Sequence, residues 1–342
     1  NTTASDSTAV GYQAGYTNTT GGKITAHGYQ SLYSNSTGDG SVAVGFRALY
    51  TNTTGAYNAA SGTEALYSNT TGSSNVAQGR HALFSNTTAS NNTAVGYQAG
   101  YANTTGAGNT ALGGGALDSL TTGSNTTAIG YLAGSAVTTG TNNTFVGQAA
   151  GQATTGSYNN FFGGGNGRAA GISVTSGSKN TILGGYNGNQ DGLDIRTASN
   201  NIVLSDGDGN PRLYYTGADS SWKSAEIYAT TTASGANMTI LSSGTICRST
   251  SSLRYKNTVN NATHGLTELL ALRPVTYKGN NDGDTVFGGL IAEEVHDAGL
   301  TEFVDYDTQD RPDALHYGNM VSLCIKAIQE QQATITALTD RI

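Results

Sequence analysis

Charge is what this chain has least of. Its 342 residues include 16 Lys and Arg and 23 Asp and Glu, 11% in all, where globular domains carry about a quarter. The net charge is −7 and no basic cluster appears, which argues against nucleic acid as a partner. Proline (3) and tryptophan (1) are nearly missing. The two cysteines, Cys247 and Cys324, stand in no CxxC or metal-ligand spacing, so they read as free thiols and point to no redox compartment. His264, His296 and His316 are not spaced as a metal set either, and neither a metal nor a cofactor is expected. No apolar run approaches the roughly 18 residues of a membrane span, so membrane insertion is not expected. The start does not resemble a signal peptide. It opens in mid-repeat with "NTTASDSTAVG", which predicts further sequence upstream.

The scarce charges are also unevenly placed. Only Asp6, Lys23, Asp39, Arg47, Glu64, Arg80, Asp118, Arg168 and Lys179 fall within residues 1–190. That stretch is instead rich in Gly, Asn, Thr and Ser, a composition compatible with disorder until its period is counted. Gly11, Gly28, Gly45, Gly62, Gly79, Gly96, Gly113, Gly130 and Gly147 recur every 17 residues, and Gly163 follows one residue short. Alanine stands two residues before each of the first eight. A small residue stands three residues after each, and Leu or Gly follows it. "NTTG" or a variant then closes the unit. A fixed short period means stacked rungs with a narrow interior. Glycine serves one corner and Asn-Thr-Thr another. About ten rungs at roughly 4.8 Å each give a rod of about 48 Å, with so little apolar volume that oligomerisation is expected. "NTT" is also a glycosylation sequon at Asn1, Asn18, Asn52, Asn69, Asn86 and Asn103, although a structural ladder is the simpler reading. Threonine rows suggest ice binding, but the neighbouring Tyr, Phe, Arg and His positions argue against it.

Residues 191–250 read as a β shaft. "NNIVLSDGDGNPRLYYTG" gives two strands about a turn, and "ANMTILSSGTICRS" two more. Trp222 reads as core or interface packing. Residues 251–342 are conventional α+β sequence: a helix with Leu266, Leu269 and Leu270 on one side, Pro274 and a strand "VTYK", then "VFGGLIAEEVHDAGL" as strand and helix. The final helix spaces Val321, Cys324, Ile328, Gln331, Ile335, Leu338 and Ile342 as heptad a and d positions of a parallel coiled coil. The fold class is therefore mainly β: a trimeric β-solenoid or β-roll rod, a β shaft, and a small α+β domain ending in a coiled-coil helix.

Two resemblances add to this. The repeat of residues 1–190 resembles the head repeats of trimeric autotransporter adhesins, though with a longer period, and similar repeats of phage tail fibres. "SSLRYK" (251–256), "LRPVTYK", "GGLIAEEV" (288–295), "LHYGNMVSLCIKAIQE" and the heptad tail together resemble the C-terminal intramolecular-chaperone domain of bacteriophage tailspikes and tail fibres, a family of self-cleaving serine peptidases. The resemblance implies a homotrimer in a virion tail, facing a host-cell receptor or glycan, whose last domain guides folding and cuts itself free. The family motif, similar to Ser-Asp-x-Arg-x-Lys, places the nucleophile at Ser251, an arginine at Arg254, the general base at Lys256 and the scissile bond between Thr250 and Ser251. A lysine base has to be largely neutral, which burial and a nearby guanidinium favour. Ser252 stands where the family has aspartate, and Ser249 and Ser252 are alternative nucleophiles. Two other readings stay open: a bacterial surface adhesin with the same chaperone domain, and a glycan-degrading tailspike. For the latter, Asp6, Asp39, Glu64 and Asp118 lie on different rungs rather than as a close acidic pair.

Overall fold

The computed structural model describes residues 4–165, 167–224, 238–240, 246–248, 258–280, 284–307 and 309–341. The chain divides into two compact units, 1–231 and 232–342. The first is a β-solenoid of about 12 turns. Its strands are β1 (Thr8–Val10), β2 (Thr25–His27), β3 (Val42–Val44), β4 (Ala59–Ser61), β5 (Val76–Gln78), β6 (Thr93–Val95), β7 (Thr110–Leu112), β8 (Thr127–Ile129), β9 (Thr144–Val146), β10 (Asn160–Phe162) and β11 (Thr181–Leu183). Each pairs in parallel with the next. A small hairpin, β12 (Asn189–Gln190) with β13 (Leu193–Asp194), interrupts the last turn before β14 (Ile202–Ser205) pairs in parallel with β11. The stack thus runs past residue 190. Its last rungs lengthen to 21 residues, which a 17-residue count does not follow. β15 (Pro211–Thr216) and β16 (Ser221–Lys223) add antiparallel strands to its end, with the expected turn between β14 and β15. Trp222 lies on β16 but is 56% exposed, so it is not core; an edge strand has too little cover to bury an indole.

A three-residue strand can aim only its middle side chain inward. Ala26, Ala43, Ala60, Ala77, Ala94, Ala111 and Ala128 hold that place, each 0–2% exposed. The chain then leaves the strand through the periodic glycine, with φ of 129° to 152° from Gly11 to Gly163. A Cβ at Gly62 would stand 2.5 Å from the carbonyl oxygen of Gly79. Four residues after that glycine the backbone is again left-handed, at Leu32, Leu49, Leu66, Leu83 and Leu117 or at Gly15, Gly100, Gly134 and Gly151. This explains the restriction to Leu or Gly: the position must turn left and also fit the interior. Where Phe145 and Phe161 replace the central alanine, the rings would lie 2.4 Å from a Cβ at Gly151 and Gly171, so only glycine fits.

The rest of the interior is amide. Asn18, Asn35, Asn52, Asn69, Asn86 and Asn103 point inward, 0–2% exposed. From Asn35 onward each Nδ2 donates to Oδ1 of the preceding asparagine at 2.8–2.9 Å. Each also donates to the carbonyl three residues on, as Asn69 does to Gly72 at 2.9 Å. In a second column, Oδ1 of Asn58, Asn75 and Asn92 accepts the backbone N–H of the next asparagine at 2.8–3.0 Å. These columns satisfy polar groups that an alanine-lined interior leaves without water. They also bury the sequon asparagines from Asn18 to Asn103, out of reach of glycosyl transfer in the folded rod. The first column stops where Leu120 takes the place of asparagine, and Asn103 Oδ1 is buried there without a partner. Beyond it this column runs Leu120, Val137, Thr154 and Val174, and Phe145, Phe161 and Ile182 fill the strand phase, while the second column stays amide at Asn143, Asn159, Asn180 and Asn201.

The second unit begins with the hairpin β17 (Met238–Ile240) and β18 (Ile246–Arg248). It continues with α1 (Leu266–Ala271), the hairpin β19 (Val275–Tyr277) and β20 (Phe287–Gly289), α2 (Ala292–Asp297), the hairpin β21 (Val304–Tyr306) and β22 (Pro312–Leu315), and α3 (Val321–Thr339). Val295, Leu300, Phe303, Val304, Met320 and Leu323 form its core. Leu269 and Leu272 pack on it, while Leu270 is 75% exposed. The apolar side expected of Leu266, Leu269 and Leu270 is thus corrected: α1 is only six residues long, and Leu272, just past its end, turns inward instead. Glu330 of α3 accepts the backbone N–H of Leu266 at 2.8 Å. That N–H and then Lys326 hold its carboxyl below the usual range. α1 is thereby fixed to α3 by a cap as well as by packing.

Candidate functional site

Thr250, Ser251, Arg254 and Lys256, the cleavage residues implied by resemblance, lie outside the described residues, as do the alternatives Ser249 and Ser252. The histidines of this unit are engaged locally. His264 Nδ1 lies 2.7 Å from Glu302, which raises its pKa, and His316 Nε2 lies 3.0 Å from Asp305. His296 Nδ1 lies 2.8 Å from the Tyr306 hydroxyl. Among the described residues, no three His, Cys, Asp or Glu form a metal-binding group. No helix there is long and apolar enough to cross a membrane.

Three surfaces have the chemistry of recognition. The first is the outer face of the solenoid sheet. In each strand the two flanking side chains point away from the interior, and they form two columns up the rod. Exposed members include Val10, Val42, Val44, Val76, Leu112 and Ile129, with threonine at many of the remaining places. Neither column contains Lys, Arg, Asp or Glu from β1 to β14. Parallel sheets normally have both faces covered. This one is uncharged, its apolar side chains interrupted by threonine and by His27, Ser61 and Gln78, and an exposed face of this kind has the chemistry of an interaction surface.

The second surface lies on α3. Leu323 and Ala327 face the core of the unit and are 1% exposed. The heptad residues lie roughly a quarter-turn away round the helix. Val321, Ile328, Ile335 and Leu338 are 57%, 63%, 49% and 55% exposed, and Cys324 is exposed among them. A single helix packed on its own core would have buried this seam, so α3 carries two apolar stripes where one would serve the unit alone.

The third surface consists of three parallel columns on the turn that follows each strand. The outer column begins Tyr12, Tyr29, Phe46, with ring centroids 5.3 Å apart. The inner column runs Tyr16, Tyr33, Tyr50, Tyr67, Phe84, Tyr101, stacked at 5.1–5.3 Å and within 13° of parallel. Between them stand Gln13, Gln30, Arg47, Glu64, His81 and Gln98. Gln30 donates to Gln13 at 2.9 Å and Arg47 to Gln30 at 3.1 Å. His81 Nε2 lies 3.0 Å from Glu64. The Arg47 guanidinium is 5.1 Å from the Phe46 ring and 5.5 Å from the Tyr50 ring, so one polar side chain spans the gap between the aromatic columns.

Counting glycine and alanine phases does not expose these columns. Their signal lies at the remaining phases of the same period, where bulky residues recur at one and five residues after glycine and Val or Thr at one and three before it. No family model, curated protein or solved structure matches the chain.

Proposed function

We propose that this chain is the subunit of a homotrimeric host-attachment fibre, a bacteriophage tail fibre on the virion, whose C-terminal unit guides assembly and then cuts the chain between Thr250 and Ser251. The observation that carries the assembly reading is the bare heptad seam of α3. Its apolar side chains face solvent on the isolated chain, and a parallel coiled coil of copies is the arrangement that buries them. The uncharged outer sheet face supports the same reading along the rod. A repeat that presents like side chains at every rung is matched over its full length by another copy of itself. In the cutting step the Ser251 hydroxyl gives its proton to Lys256 and attacks the Thr250 carbonyl. The Thr250–Ser251 amide bond breaks, Lys256 returns the proton to the departing Ser251 amine, and water hydrolyses the resulting ester to a Thr250 carboxylate and a free Ser251 hydroxyl. Arg254 and burial on assembly favour the neutral lysine this needs.

Two measurements test this. In sedimentation velocity the intact chain is expected to run as a trimer, and Ile328→Asp/Ile335→Asp as a single chain with the far-UV circular dichroism of the rod retained. A monomeric parent, or a trimeric variant, overturns the assembly reading. In denaturing electrophoresis the parent is expected to release a fragment of residues 251–342, while Ser251→Ala and Lys256→Ala stay full-length. A parent that trimerises and remains uncut removes the cleavage reading and leaves assembly standing.

A further inference from the structure

We propose that Gln331 sets the axial register in which copies of this chain assemble. The inference rests on the coiled-coil reading of α3 and adds to it the choice of one alignment among several. Gln331 stands in the middle of the seam, with Val321, Cys324 and Ile328 before it and Ile335 and Leu338 after it. Among the described seam positions it is the only amide. It is exposed on the isolated chain, and its side chain bonds to no other described residue. The polar side chains around it are engaged. Glu330 accepts the Leu266 N–H at 2.8 Å, and Gln332 Nε2 donates to the Thr336 hydroxyl at 3.4 Å. Thr334 and Thr336 return their hydroxyls to backbone carbonyls at 3.0 Å. Gln331 therefore brings an unused amide to the seam, with two N–H donors and one oxygen.

Neither repeating surface chooses a register by itself. The outer sheet columns of the rod offer similar uncharged side chains at every rung, so a neighbour displaced by one rung meets much the same face. The apolar layers of α3 are no more selective. A slip of one heptad, about 10.5 Å, sets Val321 of one copy against Ile328 of the next and Ile328 against Ile335, apolar on apolar. The same slip sets Gln331 against Leu338 of one neighbour or Cys324 of the other. In a dry seam that amide has no partner, and a bond left unmade in this way disfavours the slipped form about tenfold or more. In register, three parallel copies bring their Gln331 amides to one height. Each then donates an N–H to the oxygen of the next, and the ring closes. A single polar residue in such a seam gives up stability and specifies register.

The test attaches a nitroxide at Ala333→Cys, an exposed position of α3 outside the seam. Cys247→Ser and Cys324→Ala make the label unique, and Ser251→Ala keeps the chain whole. Pulsed electron paramagnetic resonance on this parent is expected to give one inter-label distance, with any staggered form below about a tenth of the population. Gln331→Ile completes the apolar seam with a residue that suits three strands. It is expected to stay assembled at lower concentration than the parent in sedimentation velocity, and to gain a second, longer distance from staggered copies. Gln329→Ile, the same change outside the seam, is expected to keep the single distance. A trimeric Gln331→Ile with the parent's single distance, a Gln331→Ile that assembles more weakly, or a trimeric parent with two distances overturns the role of Gln331 and leaves assembly standing. A monomeric parent overturns the assembly reading and this inference with it.

Discussion

Gly62→Val is expected to destroy the single cooperative unfolding transition of the solenoid. Gly62 has φ of 146°, a conformation closed to β-branched residues, and its would-be Cβ falls 2.5 Å from the Gly79 carbonyl oxygen and 2.6 Å from its carbon. Backbone strain alone costs about 1–3 kcal/mol. The overlap adds to it, because the neighbour is backbone already bonded into the next rung, so the sum reaches the 4–5 kcal/mol that marks exceptional substitutions, to within about 1 kcal/mol. In a stack whose rungs touch only their neighbours, a broken rung splits the rod into segments that melt separately. Urea unfolding followed by circular dichroism is expected to show two transitions or a markedly lower midpoint. Gly72→Ala is the contrasting case. Its would-be Cβ lies 2.2 Å from the Ala89 carbonyl oxygen, nominally a worse clash. Yet alanine itself stands at this phase in the next rung, where Ala89 is 4% exposed, and no left-handed φ is required there. A shift of the rung absorbs one methyl group, and a loss of about 1 kcal/mol is expected, the ordinary size for a point substitution. An equal loss for both variants would mean that steric overlap, rather than φ, governs these columns.

Asn69→Asp is expected to be the more informative loss. Asn69 Nδ2 donates to Asn52 Oδ1 at 2.8 Å and to the Gly72 carbonyl at 2.9 Å. A carboxylate there would keep the Asn86 Nδ2 bond on one oxygen but turn the other toward two acceptors, buried and without a counter-charge. Breaking a buried charge pair costs about 3–5 kcal/mol, and an uncompensated charge here is of that order at neutral pH. Burial and the facing acceptors both favour the protonated acid, so the folded-state pKa lies above the unfolded value of about 3.9. The sign follows: the variant is closest to its parent below pH about 4, and falls further behind as pH rises towards the folded-state pKa. Thermal unfolding of both proteins across that range checks it, and a pH-independent difference would show that the column tolerates the ion. Asn69→Leu is expected to cost less, about 1–3 kcal/mol for the amide oxygen left unpaired on Asn52, since Leu120 already occupies this phase in a later rung.

Much of the rod was legible because its constraints repeat. Gly11 to Gly147 mark a corner that only glycine can turn, and the alanines before them mark a strand with room for one methyl group. The restriction to Leu or Gly was visible in the residues, but its cause was not, since a left-handed φ leaves no trace in hydropathy. The rungs closed by β11 and β14 escaped the period because they are longer, with a hairpin inserted in the last. In the second unit, the turn at Pro274 and the long final helix were plain. The side of α1 that faces the core was not, because six residues make too few turns to fix a phase. The heptad spacing of α3 was readable, whereas its exposure depends on how α1 and Glu330 hold the opposite side of the helix. Ser251 and Lys256 rest on motif alone.

Through the 17-residue rungs, the hydrogen bonds between neighbouring rungs join residues 14 to 18 apart, wherever along the rod they are found. For a β structure that is a short reach, and it does not grow with the length of the rod. Closing each new rung costs the loop entropy of one rung, so relative contact order falls as rungs are added, and a longer rod is no harder to search for than a short one. The same arithmetic fixes how such a chain can change in length. Adding or removing 17 residues leaves glycine over glycine and asparagine over asparagine, while a rung of another length keeps the columns only where its extra residues fall outside them, as in the 21-residue rungs that still set Asn180 over Asn159 and Asn201 over Asn180.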